Sequence, residues 1–498
     1  MNKLKHLLLL ALIGLSTACS YNELPVELPT RPVINERMIP EIETRAETYN
    51  GEKLDQEYFV SATDLEDYIK YRGSISKRAN FTVKDVESYG LDSSHTLFYI
   101  VNYDQGWEVV SADKRLQPRM AYGDNGEFDI NSDNEPMQFW ISILADGVLQ
   151  TRRQSGDTLA SSSENATNGK GGEDESKNDN VDFWDSISST STTRGEINTP
   201  TWGPLDSLEG LFPPPEIKRY FIPGAIVHNS AITTVGTIAP TRWGQEDPWH
   251  WACPTIPNSN EKSPAGCTAV AGAQLLYSLK MQKGWNIMTP SFAFCNAVLP
   301  NTTQIFGPLS TEPWEKMALS ESDDNYERLQ NSRALIAYAG YISDMSYGIS
   351  ESGAYLSQLQ DGLAEYYNIS CTESSYGNVS ISGELQKHPI LVSGYEDTGH
   401  DHGHSWMIDQ YRIINTVTNR YYIETYEDLT YYELSQLTID DATGYITTFD
   451  TDRHYHMNWG WDGICDGYYG LPPEDWDTTE KDALQYGILI LHNFILED

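Results

Sequence analysis

At 498 residues the chain is long enough for two or three domains with sizeable cores. It carries 72 acidic against 33 basic side chains, and the net charge of −39 excludes nucleic acid and an anionic membrane surface as partners, because both repel such a protein. An aromatic content of 11%, with 31 Tyr and 13 Trp, excludes wholesale disorder.

Residues 1–19 read as an export signal. Lys3 and Lys5 precede an apolar run from Leu7 to Leu15, too short for a permanent membrane span, and Ser16-Thr17-Ala18 leads into Cys19. Small residues before a cysteine resemble a bacterial lipobox, although Ser16 stands where Leu is more usual. Cys19 is therefore the expected lipidated N-terminus, with an ordinary cleaved signal as the alternative, and the expected location is exported and anchored to the cell envelope. Residues 20–45, with Pro25, Pro29, Pro32 and Pro40 among polar neighbours, read as a tether. Residues 46–155 read as a small α+β domain: a short helix from Asp64 to Tyr71, strands Thr96–Val101 and Gly106–Ser111 joined by a turn, and an amphipathic helix from Pro136 to Thr151. Residues 156–198 are acidic, rich in Ser and Gly and poor in apolar residues, so a mobile linker is expected, with Arg194-Gly195 a candidate cut.

Residues 199–498 read as the main domain. In Ser263–Lys280, Pro264 and Gly266 break the chain just before Thr268, Ala269, Ala271, Ala273, Leu275 and Leu276, which places Cys267 at a helix N-terminus. Unpaired N–H groups and the helix dipole there favour the thiolate. A helix over Asn325–Gly340 follows, and beyond Pro389 the pattern changes to strands: I-L-V-S-G-Y, S-W-M-I-D-Q-Y-R-I-I, R-Y-Y-I-E-T-Y and H-Y-H-M-N-W-G-W. Helices followed by strands imply an α+β fold of two lobes with a cleft between them.

Without Cys19 five cysteines remain, at 253, 267, 295, 371 and 465, an odd number that leaves at least one thiol unpaired in an exported protein. They show no zinc spacing, and neither a metal nor an organic cofactor is implied. His404 lies 137 positions beyond Cys267, a separation that suits a thiolate–imidazolium pair able to attack a carbonyl and protonate a leaving amine. Asn458 is a candidate to accept from the imidazole N–H, with Trp459 covering that contact. Gln245 is a candidate to join the Cys267 N–H in binding an oxyanion. Each also has a plain structural reading: a buried core thiol, a solvated histidine loop shared with His400 and His402, an aromatic turn, and a surface glutamine.

Taken together, the motifs W-G-Q-E-D-P-W, A-C-P, A-G-C-T-A-V-A-G-A-Q, G-H-S-W-M-I-D and H-M-N-W-G-W-D-G-I-C-D-G-Y-Y closely resemble the streptopain family of papain-like bacterial cysteine peptidases. The resemblance implies a papain-like two-lobed peptidase with Cys267 as nucleophile, His404 as general base and acid, Gln245 in the oxyanion hole, and Asn458 with Trp459 supporting the histidine. Protein or peptide substrates follow from it. The run F-Y-I-V-N-Y-D-Q-G-W-E-V-V-S-A-D-K-R-L-Q-P-R-M-A-Y-G is similar to the family's propeptide, which implies that residues 46–155 inhibit the site intramolecularly until removed. Three departures stand out: Ile413–Arg453 intrudes between His404 and Asn458, Thr268 replaces a Val, and Gln410 stands where Gly is common. Trp249-His250-Trp251 also departs from the pattern, at the cleft rim. A transglutaminase-like acyltransferase and an inactive peptidase-like surface binding protein are the competing readings.

Overall fold

The computed structural model describes residues 35–38, 58–75, 82–90, 96–153, 179–187, 218–256, 260–287, 292–295, 303–306, 314–395, 403–470 and 488–497. The export signal with Cys19, the Arg194-Gly195 site, His400 and His402 lie outside them.

The N-terminal domain packs a helix α1 (Ala62–Ile75) against a sheet whose strands are β1 (Asn35–Met38), β2 (Val83–Gly90), β3 (Thr96–Tyr103), β4 (Trp107–Ser111) and β5 (Arg119–Gly123). Helix α2 (Glu135–Arg153) follows. The end of the expected tether is thus annexed as β1, paired in parallel with β2. The expected featureless linker also contains structure: helix α3 (Asp179–Ile187) brings Phe183 and Trp184 into one core with Tyr68 and Val110. D-F-W-D-S-I is the apolar island in that polar stretch, and burying two aromatic rings outweighs the composition around them.

The main domain opens with β6 (Lys218–Gly236) and the cysteine helix α4 (Cys267–Met281). A hairpin of β7 (Phe292–Cys295) and β8 (Thr303–Phe306) precedes α5 (Tyr326–Ile342), whose N-cap Asn325 accepts from Arg328 N–H at 3.1 Å. After a short ladder of β9 (Ser346–Tyr347) and β10 (Ser352–Gly353) comes α6 (Leu356–Tyr367), closed by Asn368 in the left-handed region. The remaining strands are β11 (Ile369–Ser375), β12 (Ile390–Tyr395), β13 (Gly403–Thr425), β14 (Gly444–Asn458), β15 (Gly467–Tyr469) and β16 (Leu489–Leu496).

Twelve strands form a single sheet in the order β1-β2-β3-β4-β5-β15-β14-β13-β12-β16-β11, with β6 paired to β13. The sequence suggested two strands where β13 runs unbroken for 23 residues. Both its neighbours explain the length: β14 pairs with it from Asn458 to Gly444 and β6 from Gly236 to Lys218. The intruding segment Ile413–Arg453 is therefore most of a three-stranded arm. Strand β2, rich in polar residues, and the short β5 gave no alternating pattern to read.

Three cores hold the molecule. Helices α4, α5 and α6 surround one, built from Ala269, Ala273, Leu276, Leu335, Ala339 and Leu359. The small residues let α4 and its neighbours approach closely, as at Gly272, which lies against Leu359. Strands β12 to β16 form the other lobe, and their core includes Trp406, Ile408, Trp459 and Tyr469. The same core holds Phe98, Trp107, Met137, Phe139 and Trp140 of the N-terminal domain. The two domains share one apolar interior.

Candidate active site

Helix α4 starts at Cys267, preceded by Gly266 at φ 85, a conformation that favours glycine. A Cβ on Gly266 would stand 2.8 Å from the Ser352 carbonyl oxygen, so the turn that aims the thiol admits no side chain. Strand β13 brings His404 alongside: the Ser405 N–H donates to the Cys267 sulfur, and the Thr268 hydroxyl and Ser405 hydroxyl lie 3.1 Å apart. Thr268 donates to the Ala354 carbonyl at 2.7 Å and so accepts from the Ser405 hydroxyl, which ties α4 both to the segment before α6 and to the histidine strand.

The sequence predicted a thiolate, and the structure shows the opposite direction. Burial pushes the Cys267 thiol up, and Glu135 adds to it, overcoming the N–H groups of Ser405 and Thr268 that favour the anion. Glu135 opens helix α2 of the N-terminal domain, and its carboxylate lies 3.6 Å from His404 Nδ1. One turn on, the Phe139 ring occupies the space where Gly394 lacks a side chain, and Gly394 is the cross-strand partner of His404. One helix of the N-terminal domain thus lies beside the His404 imidazole and places a carboxylate near enough to act on the Cys267 thiol.

The expected pairing of Asn458 with His404 is not made. Asn458 Nδ2 donates to the Thr241 carbonyl at 2.7 Å, and its Oδ1 accepts from Gln274 Nε2 at 2.8 Å and from Gly460 N–H at 3.3 Å. The arm explains this, because β14 pairs Asn458 with Met407, three residues along β13 from the histidine. Trp459 is fully buried, tilted against Trp406 with centroids 5.4 Å apart and donating Nε1–H to the Cys465 carbonyl at 3.1 Å. The Gln245 carbonyl accepts from Ala265 N–H at 2.8 Å, which fixes Gln245 beside the approach to Cys267.

Sequence reasoning passed over Asp462. Its carboxylate accepts Trp249 Nε1–H and fills the space against Gly244, next to Gln245, while its N–H donates to the Trp243 carbonyl at 3.3 Å. Burial pushes this carboxyl up to about 6. The W-D-G run was the available signal, a carboxylate in an otherwise aromatic turn. Nearby, Asp409 Oδ1 and His456 Nδ1 are 2.7 Å apart; burial pulls the imidazole down, but Asp409 outweighs it and the net shift is upward.

Residues 243–469 match the model of the Peptidase C10 family, and residues 64–148 match the model described as Spi protease inhibitor. The C10 match spans a little under half of the chain, and that segment is similar to the peptidase C10 family. Streptopain of Streptococcus pyogenes serotype M1 is 26% identical over 242 residues, covering 46% of this chain and 49% of the relative, and streptopain of another Streptococcus pyogenes source is 25% identical over the same span. The chain thus spans about half the length of the curated relatives it matches. Among solved structures, a fragment of prointerpain A from Prevotella intermedia is similar with a TM-score of 0.45 and 18% identity, covering 79% of this chain and 94% of that one. Active interpain A of the same organism gives 0.35 and 22%, covering 52% and 94%. The C10 segment contains Gln245, Cys267, His404, Asn458 and Trp459. The inhibitor-like segment contains Glu135 and Phe139.

Proposed function

We propose that this C10 chain is a cysteine endopeptidase made as a zymogen, with its inhibitor-like domain as intramolecular propeptide. The observation that carries the reading is the meeting of α4 and β13, where the sulfur of Cys267 takes a hydrogen bond from the residue next to His404 while Glu135 lies beside the imidazole and Phe139 against Gly394. Once the propeptide leaves, the burial and the Glu135 charge that hold the thiol neutral are gone, and the helix N-terminus favours the thiolate. The sulfur then attacks a peptide carbonyl carbon, and the Cys267 N–H with the Gln245 side chain receives the oxyanion. His404 gives its proton to the leaving amine; a water, deprotonated by the same imidazole, then attacks the thioester and frees the thiol. In this scheme Trp459 keeps water from the histidine strand, Asn458 braces β14 against α4, and Asp462 supports the Gln245 segment. Export, with a lipid on Cys19 as the membrane anchor, completes the proposal and rests on the first 19 residues.

Replacement of Cys267 by Ala tests the reading. The variant is expected to lose all hydrolysis of casein and to remain full length under conditions where the parent chain shortens itself; unchanged casein turnover overturns the assignment.

A further inference from the structure

Besides the shared core and the bonds from Asn134 to the Ile464 carbonyl and from Trp140 to the Gly470 carbonyl, two sets of contacts join the inhibitor-like domain to the C10 domain. One is the Glu135 and Phe139 contact beside the histidine. The other lies on the arm of β6, β13 and β14. There Arg119, from strand β5, is buried and forms an ion pair with Asp452 on β14. The Arg119 backbone carbonyl accepts Nε2–H of His454 at 2.8 Å. Tyr122, on the same strand, stacks on Tyr468 at 5.0 Å and accepts from Arg412 Nη1 at 3.2 Å. Further along the arm, the His228 ring meets Tyr71 of α1 edge-on at 4.6 Å.

The buried charges in this contact find their partners across the domain boundary. On the inhibitor side Arg119 and Arg72 share one carboxylate, Glu108, which Arg72 Nε reaches at 2.9 Å and Arg119 Nη1 at 3.7 Å. On the arm Asp452 is almost completely buried. Across the same contact Arg412 of the arm reaches Asp124 of the N-terminal domain at 3.2 Å, so that joined, three guanidinium groups meet three carboxylates. Separation breaks the buried Arg119–Asp452 pair and leaves Asp452 without its cation. A partner with a neutral residue at position 119 strands Asp452 in the interior, which is the costly way to break a buried pair.

We propose that the inner face of the arm is a recognition surface separate from the cleft, which fits an inhibitor domain presenting a guanidinium from its edge strand and rejects one that lacks it. This deepens the reading of residues 46–155 as propeptide. The cleft contacts lie beside the reacting groups, and the arm selects which domain makes them. Arg119 and Asp452 set that selectivity, and His454 fixes the strand that carries Arg119.

Amide hydrogen exchange on the full chain carrying Cys267→Ala tests this without relying on peptidase activity. In that background Arg119→Met and Asp452→Asn are each expected to speed exchange across the β5–β15 ladder about a hundredfold or more at neutral pH. The double variant is expected to show far less than the product of the two effects, because neither charge is then left alone. Helix α4 amides, expected to keep their protection, report that the fold persists. Arg119→Lys, which keeps charge but loses the fork, is expected to fall between parent and Met and serves if the Met variant does not fold. Ladder exchange within about threefold of the parent in both single variants overturns the proposal, as does a double variant equal to the product. Failure of the parent chain to hydrolyse casein counts against the peptidase reading and leaves this result standing.

Discussion

Acid should loosen the inhibitor-like domain, and His454 sets the size of the effect. The ring is fully buried at the arm, faced by Asp452 on its own strand, by Arg119 and Tyr122 of β5 and by Glu108 of β4. Its Nε2–H is used by the Arg119 carbonyl, so Nδ1 is the acceptor that must take up a proton, 3.5 Å from Asp452 Oδ1. Burial pulls this imidazole down from 6.5 to about 4. Separation of the domains exposes the ring and returns it toward its ordinary value. The separated form therefore binds the proton more readily, and the closed form is favoured fully above pH 6.5 and progressively less as the pH falls toward 4. A difference of that size corresponds to about 3 kcal/mol, roughly a hundredfold in the ratio of closed to open. His228 is pulled down by burial to about 4 and adds in the same direction, less strongly because it is partly solvated. Asp452, held low by Arg119 against the cost of burial, also loses its contribution on acidification. The assay is the protection of the Arg119–Gly123 amides in the Cys267→Ala chain, corrected for intrinsic exchange at each pH. Protection is expected to fall about a hundredfold between pH 7 and pH 4.5, and the fall to be much smaller in His454→Phe. A flat profile, or an undiminished fall in the phenylalanine variant, refutes the reasoning.

Other outcomes follow from the cleft. Glu135→Ala removes a contact with His404 whose carboxylate is largely exposed and which is worth at most about 1 kcal/mol, so the lag before self-activation should shorten no more than about fivefold. Phe139→Ala empties a buried aromatic site worth about 3 kcal/mol and should shorten the same lag far more; the reverse order in progress curves contradicts the geometry. Asn458→Ala leaves the buried Thr241 carbonyl and Gln274 amide only their long 3.5 Å bond to each other, a loss of about 1–3 kcal/mol in thermal unfolding, while kcat of the folded mature enzyme should stay within severalfold of the parent. Gly266→Ala forces a Cβ toward the Ser352 carbonyl at positive φ, costing about 1–3 kcal/mol, and should lower kcat as the thiol shifts.

The nucleophile helix was legible because breakers and helix formers adjoin at Gly266 and Cys267, a local signal. The strands around His404 were legible from their alternation, and α2 and α5 from their periodicity. What sequence could not supply were relations set by pairing between distant segments. Nothing local in R-M-A-Y-G says that β5 will continue the peptidase sheet through Tyr122 and Tyr468. The fate of Asn458 depended on strand register, which β6 and the arm fix from outside the motif. The thiol direction depended on burial, with a smaller addition from Glu135, about 130 residues upstream in sequence. Thr268 and Asp462 were visible as residues, but their roles needed the neighbours they touch.

The proposed zymogen requires a thiol that becomes reactive only after the inhibitor-like domain has gone. Mass spectrometry after treatment with a thiol-directed epoxide, on the intact precursor and the matured chain side by side, measures this directly. One adduct on Cys267 of the matured chain and none on the precursor is the predicted result. Equal labelling of both forms, or an adduct confined to Cys253, Cys371 or Cys465, contradicts it.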